Sequence, residues 1–268
     1  MKLGWWNTKI APPPRSEASD ASLAASMPTI FLLIDEGCSL IGLSEISPAG
    51  LAELEGSLRR GAHGAWRSLH CEQRNLGLLF DSSHWSPRSE ASRIVQSANR
   101  HVHAGWVISC RTIDSGALLR LVLLHWRTDL FNGAIAREDC GRHLQAVLKE
   151  APDTPTVLLG DFNCEPFDEV VTRHLGATRD VRMVAAGRAA FFNPFWHATG
   201  SSWATLRLRE WDPVQLSEWK MVDFGVVNGA LLPYEPSGEV VSVGEMTSDH
   251  LPVILQLGES KEHSNDIQ

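Results

Sequence analysis

The stretch Thr156-Val157-Leu158-Leu159-Gly160-Asp161-Phe162-Asn163 runs from an aliphatic strand straight into a carboxylate and a carboxamide. A short apolar run without alternation marks a strand covered on both faces. Residues two apart on extended chain project to the same side, so Asp161 and Asn163 address one small volume. Gly160, just before them, lets backbone or ligand come close. Alone, these four residues would be an ordinary strand end, because Asp and Asn both suit turns.

The pattern recurs along the chain. Leu3-Gly4-Trp5-Trp6-Asn7 ends in a carboxamide, Leu40-Ile41-Gly42-Leu43-Ser44-Glu45 in a carboxylate and Leu121-Val122-Leu123-Leu124-His125 in an imidazole. Met221-Val222-Asp223-Phe224 places a carboxylate at the start of a strand, and a last apolar stretch is preceded by Ser248-Asp249-His250. Each has a bland alternative: a solvated glutamate, a strand-starting aspartate, a core histidine, a turn. Open α/β sheets bind ligands at strand ends, and a common site explains all of these positions at once.

The order Asn7, Glu45, His125, Asp161-Phe162-Asn163, Asp223, Ser248-Asp249-His250 resembles the endonuclease/exonuclease/phosphatase superfamily. That group includes pancreatic-type deoxyribonucleases, abasic-site endonucleases, inositol polyphosphate phosphatases and bacterial sphingomyelinases. The likeness extends from residue 3 to about residue 257, and Gly160–Asn163 and Ser248–His250 are its most specific parts. It implies an α/β fold, a four-layer αββα sandwich of two mixed β-sheets flanked by helices, and divalent-metal phosphoester hydrolysis.

The chemistry asks for such residues. A phosphodiester repels hydroxide and has a poor leaving group; a hard cation with oxygen ligands answers both problems. The expected cofactor is Mg²⁺, with Mn²⁺ able to substitute. Glu45 is the first-choice ligand, Asn7 supplies a carbonyl oxygen or orients a bound water, and Asp249 holds the same ion or a second one. Asp161 orients or deprotonates the attacking water, and Asn163 donates to a non-bridging phosphate oxygen. By resemblance, His250 contacts the phosphate, with Asp223 on its other ring nitrogen, and His125 sits near the leaving oxygen. Glu72 is a candidate to orient His125.

The single tyrosine, Tyr234, lies far from Leu124-His125-Trp126-Arg127, where abasic-site enzymes carry a tyrosine segment. Signature segments of inositol phosphatases are missing too. A nuclease acting on DNA or RNA is therefore the leading expectation, and a phosphatase or phosphodiesterase for a small-molecule or lipid phosphoester the alternative. The formal net charge of −8 argues against a strong non-specific grip on nucleic acid. Residues 59–111, however, hold eight arginines against three acids. Arginine matches phosphate oxygens bidentately, which makes Arg88 and Arg93, with Arg127, candidate contacts to a phosphate backbone.

With 268 residues and no linker-like run, residues 1–258 read as one domain, followed by a polar tail over 259–268. The first strand starts within a few residues of Met1, leaving no room for a signal peptide, and no apolar run approaches a membrane span. Five cysteines without a Cys-x-x-Cys pair suit a reducing compartment, so the expected location is cytoplasmic. Cys164 reads as a packing residue. Strands are expected over 3–7, 39–45, 66–72, 76–81, 105–113, 118–126, 156–161, 222–227, 239–243 and 252–257, and helices near 21–35, 48–60, 133–150 and 167–175. Segments 80–104 and 180–220 read as loops shaping the cleft, the second rich in core-anchoring aromatics. Apart from His125 and His250, the histidines default to structural or solvated roles.

Overall fold

The first strand shows how the layers arise. In the computed structural model, residues 1–11, 20–71, 74–97, 100–126, 133–198, 205–207, 219–243 and 247–259 are described. Strand β1 (Lys2–Asn7) sends Leu3 and Trp5 into one apolar cluster and Trp6 into another. This is the two-residue period of a strand buried on both faces.

Six strands form the first sheet, in the order β14 (Ser237–Val240), β15 (Val253–Gln256), β1, β2 (Cys38–Ser44), β4 (Leu76–Asp81) and β3 (Trp66–His70). The second has seven: β5 (Trp85–Ser97), β6 (Arg100–Thr112), β7 (Leu118–His125), β8 (Thr156–Asp161), β13 (Asp223–Asn228), β10 (Phe191–Phe192) and β9 (Ala177–Thr178). Both sheets are mixed: β1 is parallel to β2 and antiparallel to β15, and β7 is parallel to β8 and antiparallel to β6. A two-residue ribbon, β11 (Leu206–Arg207) with β12 (Trp219–Lys220), stands apart.

The sheets pack face to face through Leu3, Trp5 and Leu78 of the first and Trp106, Leu123, Leu159 and Phe224 of the second. They come close at Gly42, where a Cβ would meet Leu123 at 2.7 Å. Helices α1 (Asp20–Asp35) and α2 (Pro48–Arg60) cover the outer face of the first sheet, with Ile30, Leu33, Leu51, Leu54 and Leu58 on Trp6, Ile41 and Leu79. Ser47 caps α2 by accepting from Gly50 N, and Pro48 starts it. Helix α3 (Gly133–Lys149) covers the second sheet with Cys140, Leu144 and Leu148, while Ile135 is exposed. The result is the four-layer αββα sandwich.

Three expectations change. Residues 85–97 are not loop but a 13-residue strand paired along its length with β6. As an edge strand with both faces partly open, β5 carries Ser, Arg, Glu and Gln without apolar alternation, and its pairing with β6 is what chiefly specifies it. The helix expected over 167–175 is only a π-helical turn, Val170–Leu175, stopped by Gly176 at φ 77. Within 180–220 lie β10, a five-residue helix α4 (Val181–Ala185) and a 3₁₀ turn, Pro194–Ala198. Phe191 and Phe195 of that segment are core residues; Trp203 and Trp211 lie outside the described residues. So does the tail beyond residue 259. No helix among the described residues is long and apolar enough to cross a membrane, and all five cysteines are buried and free.

Candidate active site

Sheet order brings the polar strand ends together. His125 pairs in register with Asp161, and Asp161 with Asp223, so three functional groups sit abreast on β7, β8 and β13. On the facing sheet Asn7 pairs with Ser44, next to Glu45. Gly160 has to be glycine, since a Cβ would run into the Leu124 backbone carbonyl.

Two side chains tie the sheets together at this end. Asn7 Nδ2 donates to Asp161 Oδ2 at 3.1 Å and reaches Glu45 Oε1 at 3.5 Å. Trp5 Nε1 donates to Asp223 Oδ1 at 2.9 Å. His125 Nε2 lies 3.7 Å from both Glu45 Oε1 and Asp161 Oδ2. Glu45 adopts a left-handed backbone, φ 54, costly for a residue with a long side chain. Its carbonyl is held by Ala11 N at 2.6 Å and Thr8 Oγ1 at 3.2 Å, which keeps the carboxylate on the site. Asn163 is also left-handed, φ 49, a conformation asparagine tolerates. Its backbone N–H donates to Asp161 Oδ1 at 2.8 Å and its amide donates to Trp126 O at 2.8 Å.

Opposite them, His250 Nδ1 meets Asp223 Oδ2 at 2.7 Å, both side chains being buried. Ser248 Oγ donates to Asn7 O at 2.7 Å and accepts from His250 N at 3.1 Å, which seats the His250 segment against β1. Trp6 Nε1 donates to His250 O at 3.0 Å. Thr205 Oγ1 accepts from the backbone N–H groups of Val222 and Asp223 at 3.0 and 2.9 Å. Leu251 N donates to Thr205 O at 2.7 Å, so this residue fastens β13 to the His250 segment.

Burial displaces the titrations. It raises the Glu45 carboxyl above its ordinary range, against the pull of His125 and the Asn7 amide. Burial, helped by the charge of Asp223, pushes Asp161 up to about 7. His125 is lowered, burial outweighing its acidic neighbours. For His250 burial opposes the charge, but Asp223, with Asp161 and Asp249, overcomes it and raises the imidazolium to about 10.

Asn7, Glu45, His125, Asp161, Asn163, Asp223 and His250 thus form one cluster. Asp249 is at the rim, its Oδ2 bonded to Lys9 Nζ at 2.7 Å. The structure does not bring Arg88 or Arg93 there. Arg88 is exposed and level with Arg120 of β7, about 17 Å back from His125 at about 3.3 Å per residue. Arg93 lines a cavity of about 270 Å³ under α3, with its Nε buried and without a hydrogen-bond partner among the described residues. Arg127 and Glu72 lie outside the described residues. The arginine-rich stretch is not one surface: Arg59 and Arg60 pair with Glu55 and Glu53 on α2, and Arg67 donates to the carbonyls of Gly64 and Trp66. Sequence clustering was the wrong signal, because consecutive elements belong to different layers.

Two residues of the site escaped the sequence reading. Trp5 could have been found, being two positions before Asn7 and so on its face. Thr205 carried no signal. His103, expected to be structural or solvated, is a buried structural residue, 3% exposed with neither ring nitrogen hydrogen-bonded among the described residues. Burial, then Arg74 and His125, lowers its pKa to about 4.

The sequence matches no protein-family model and no curated protein. Solved structures share its fold. An endonuclease/exonuclease/phosphatase family protein from Bacteroides thetaiotaomicron superposes with a TM-score of 0.68 at 14% identity, over 95% of this chain and 96% of its own. A mannosyl-6-phosphatase of the same species gives 0.68 and 14%, over 96% and 99%. D. rerio TDP2 complexed with a single-strand DNA product gives 0.63 and 15%, over 95% and 97%. The chain has the endonuclease/exonuclease/phosphatase fold.

As for a metal, Asp161, Asp223 and His250 present ligand atoms within 4.8 Å of one another. His250 Nδ1 and Asp223 Oδ2 are already engaged with each other there. The oxygen donors of Glu45, half-buried, and Asp161, buried, both raised in pKa and sharing the Asn7 amide, suit a hard divalent cation better.

Proposed function

We propose that the protein is a divalent-metal-dependent phosphodiesterase whose substrate is a nucleic acid, cleaved by water. One observation carries the reading: three carboxylates, two histidines and two carboxamides from both sheets converge at one end of the sandwich, with the His250–Asp223 pair at 2.7 Å.

Glu45 and Asn7 would hold the cation, Mg²⁺ or Mn²⁺, which when bound supplies charge neutralisation at the phosphate and the leaving oxygen. Asp249 could join them only by releasing Lys9. Asp161, fixed by the Asn7 amide and the Asn163 backbone N–H, orients the attacking water and takes its proton. His250, kept charged by Asp223, donates from Nε2 to a phosphate oxygen. Asn163 has one amide hydrogen left after bonding Trp126 O, and directs it at the same phosphate. His125 protonates the departing oxygen, its lowered pKa making the imidazolium a willing donor.

The likeness to a mannosyl-6-phosphatase supports a second reading, hydrolysis of a small phosphoester, and the net charge of −8 is compatible with it. A panel of plasmid, single-stranded DNA, RNA, sugar phosphates and inositol phosphates, each with Mg²⁺, Mn²⁺ and chelator, separates the two. Turnover confined to small esters rejects the nucleic-acid substrate, and turnover in chelator rejects the metal.

A further inference from the structure

We propose that the groove beside β9 is a track for the backbone of a single-stranded nucleic acid, leading to the catalytic end of the sandwich. The inference rests on the nucleic-acid reading above and names where the substrate lies beyond the bond that is cut.

A cleft of about 1060 Å³ opens along this sheet edge. Four cations line it, Lys149, Arg173, Arg179 and Arg188, against one acid, Asp153. Arg173 is engaged by Glu169 at 2.6 Å. Arg179 and Arg188 are exposed and have no ion-pair partner among the described residues. Arg179 lies instead over the ring of Trp196, 5.8 Å from its centre, and Phe167 meets the same indole edge-on at 6.4 Å.

Strand direction gives the groove its bearing. Strand β13 starts at Asp223, at the catalytic end, and β10 runs antiparallel to it. Strand β9 is parallel to β10, so both run toward the catalytic end. Arg179 follows β9 directly, and Trp196 lies beyond β10, so both are on the catalytic side of the cleft. Gly229 and Ala230, which follow the far end of β13, line the opposite side. Phe167, touching Trp196, is four residues after Asn163. The groove therefore points from the far edge toward the site. Exposed arginines for phosphates and a half-exposed indole for a base are the groups a single strand uses, whereas a duplex hides its base faces.

The test is anisotropy binding in chelator with labelled oligothymidylates of about four and about twelve nucleotides, the range of a single-strand site. The wild-type protein should bind the longer one more tightly. In Arg179→Ala/Arg188→Ala that advantage should vanish and the log–log salt slope fall by about 1.4, at about 0.7 per lost contact. Arg179→Lys/Arg188→Lys should keep the slope. Trp196→Ala should weaken the long oligonucleotide by about fivefold or more. An unchanged length advantage in the alanine double variant overturns the track. Equal competition by polyglutamate overturns it too, since the groove would then accept any acidic chain. If the wild type cuts both oligonucleotides with Mg²⁺ but shows no length advantage, the track falls and the nuclease reading stands. If it hydrolyses only sugar phosphates and binds neither oligonucleotide, both fall.

Discussion

The catalytic end and the β9 groove are both polar, yet they are built on opposite terms. At the catalytic end Asp161, Asp223 and His250 are buried and bonded to one another or to Trp5 and Asn7. Along β9 the arginines stand in solvent, and Arg179 lies over an indole. Burial strengthens charge interactions and displaces titrations, so the first region should respond to pH and to the loss of single charges. Exposed charges are screened within about 8–10 Å at physiological salt, so the second should respond to ionic strength. The first is proposed to break a bond, the second to hold a chain.

The contrast breaks most severely at Glu45. Glu45→Gln keeps the volume but removes a charge proposed to hold the cation, and kcat/KM should fall by about 10³-fold or more, equivalent to several kcal/mol. Melting temperature in chelator should hold or rise, because crowding of buried carboxylates is relieved. Wild-type turnover by this variant at limiting Mg²⁺ would remove Glu45 from the metal site.

His125→Ala comes next, with a loss of about 10²–10³-fold on DNA or RNA. A nitrophenyl phosphodiester, whose leaving group needs no proton, should be cut nearly as before. Equal losses on both esters would assign His125 to phosphate binding or to structure.

Asp223→Asn should lose about 10²-fold, unevenly with pH. With Asp223 present, His250 stays charged to about pH 10. Without it, the imidazolium titrates away above about pH 6.5, so the loss should grow from pH 6 to pH 9. The sign for stability is the same: the raised pKa contributes fully below about 6.5 and is lost as pH rises through about 10. A loss independent of pH would mean that Asp223 only shapes the site.

His103 offers a measurement of burial without chemistry. Its pKa is lowered to about 4, so the unfolded chain binds the proton first and stability falls as pH drops from about 6.5 to 4. The contribution is about 3 kcal/mol. Denaturant titrations at pH 7 and pH 4 should show the wild type losing that much more than His103→Gln. Parallel pH profiles would mean that His103 is hydrated or paired.

The smallest effect is expected at Arg88. Its exposed position far back from the strand ends predicts that Arg88→Ala changes nucleic-acid binding and stability by less than about 0.5 kcal/mol. A reduced salt slope in this variant would extend the binding surface across β5.

The residues that gather at the site were legible because each ends or begins an apolar strand. Asn7, Glu45, His125, Asp161 and Asp223 all carry that mark, and a β-strand's face and direction follow from a two-residue period. Strand β5 was missed for the converse reason: with solvent on both faces it has no apolar period to read. The arginines misled because charge counted along the chain ignores which layer each element joins. Arg88 and Arg93 fall on an edge strand, whereas Arg179 and Arg188, in a segment with little pattern, share one groove with Lys149.

Local pattern was thus enough for the strands and for the set of groups at their ends, while the sandwich and the metal-phosphoester chemistry were expected from the family resemblance that the order of those groups carries. The strands and their end groups were legible because strand periodicity and donor chemistry are properties of neighbouring residues. Tertiary structure alone decided that Trp5 anchors Asp223, that Thr205 fastens β13 to the His250 segment, that Asp249 is taken by Lys9, and that a basic groove opens beside β9. Each of these joins residues remote in sequence, through side-chain geometry and sheet order that only packing of the whole chain establishes.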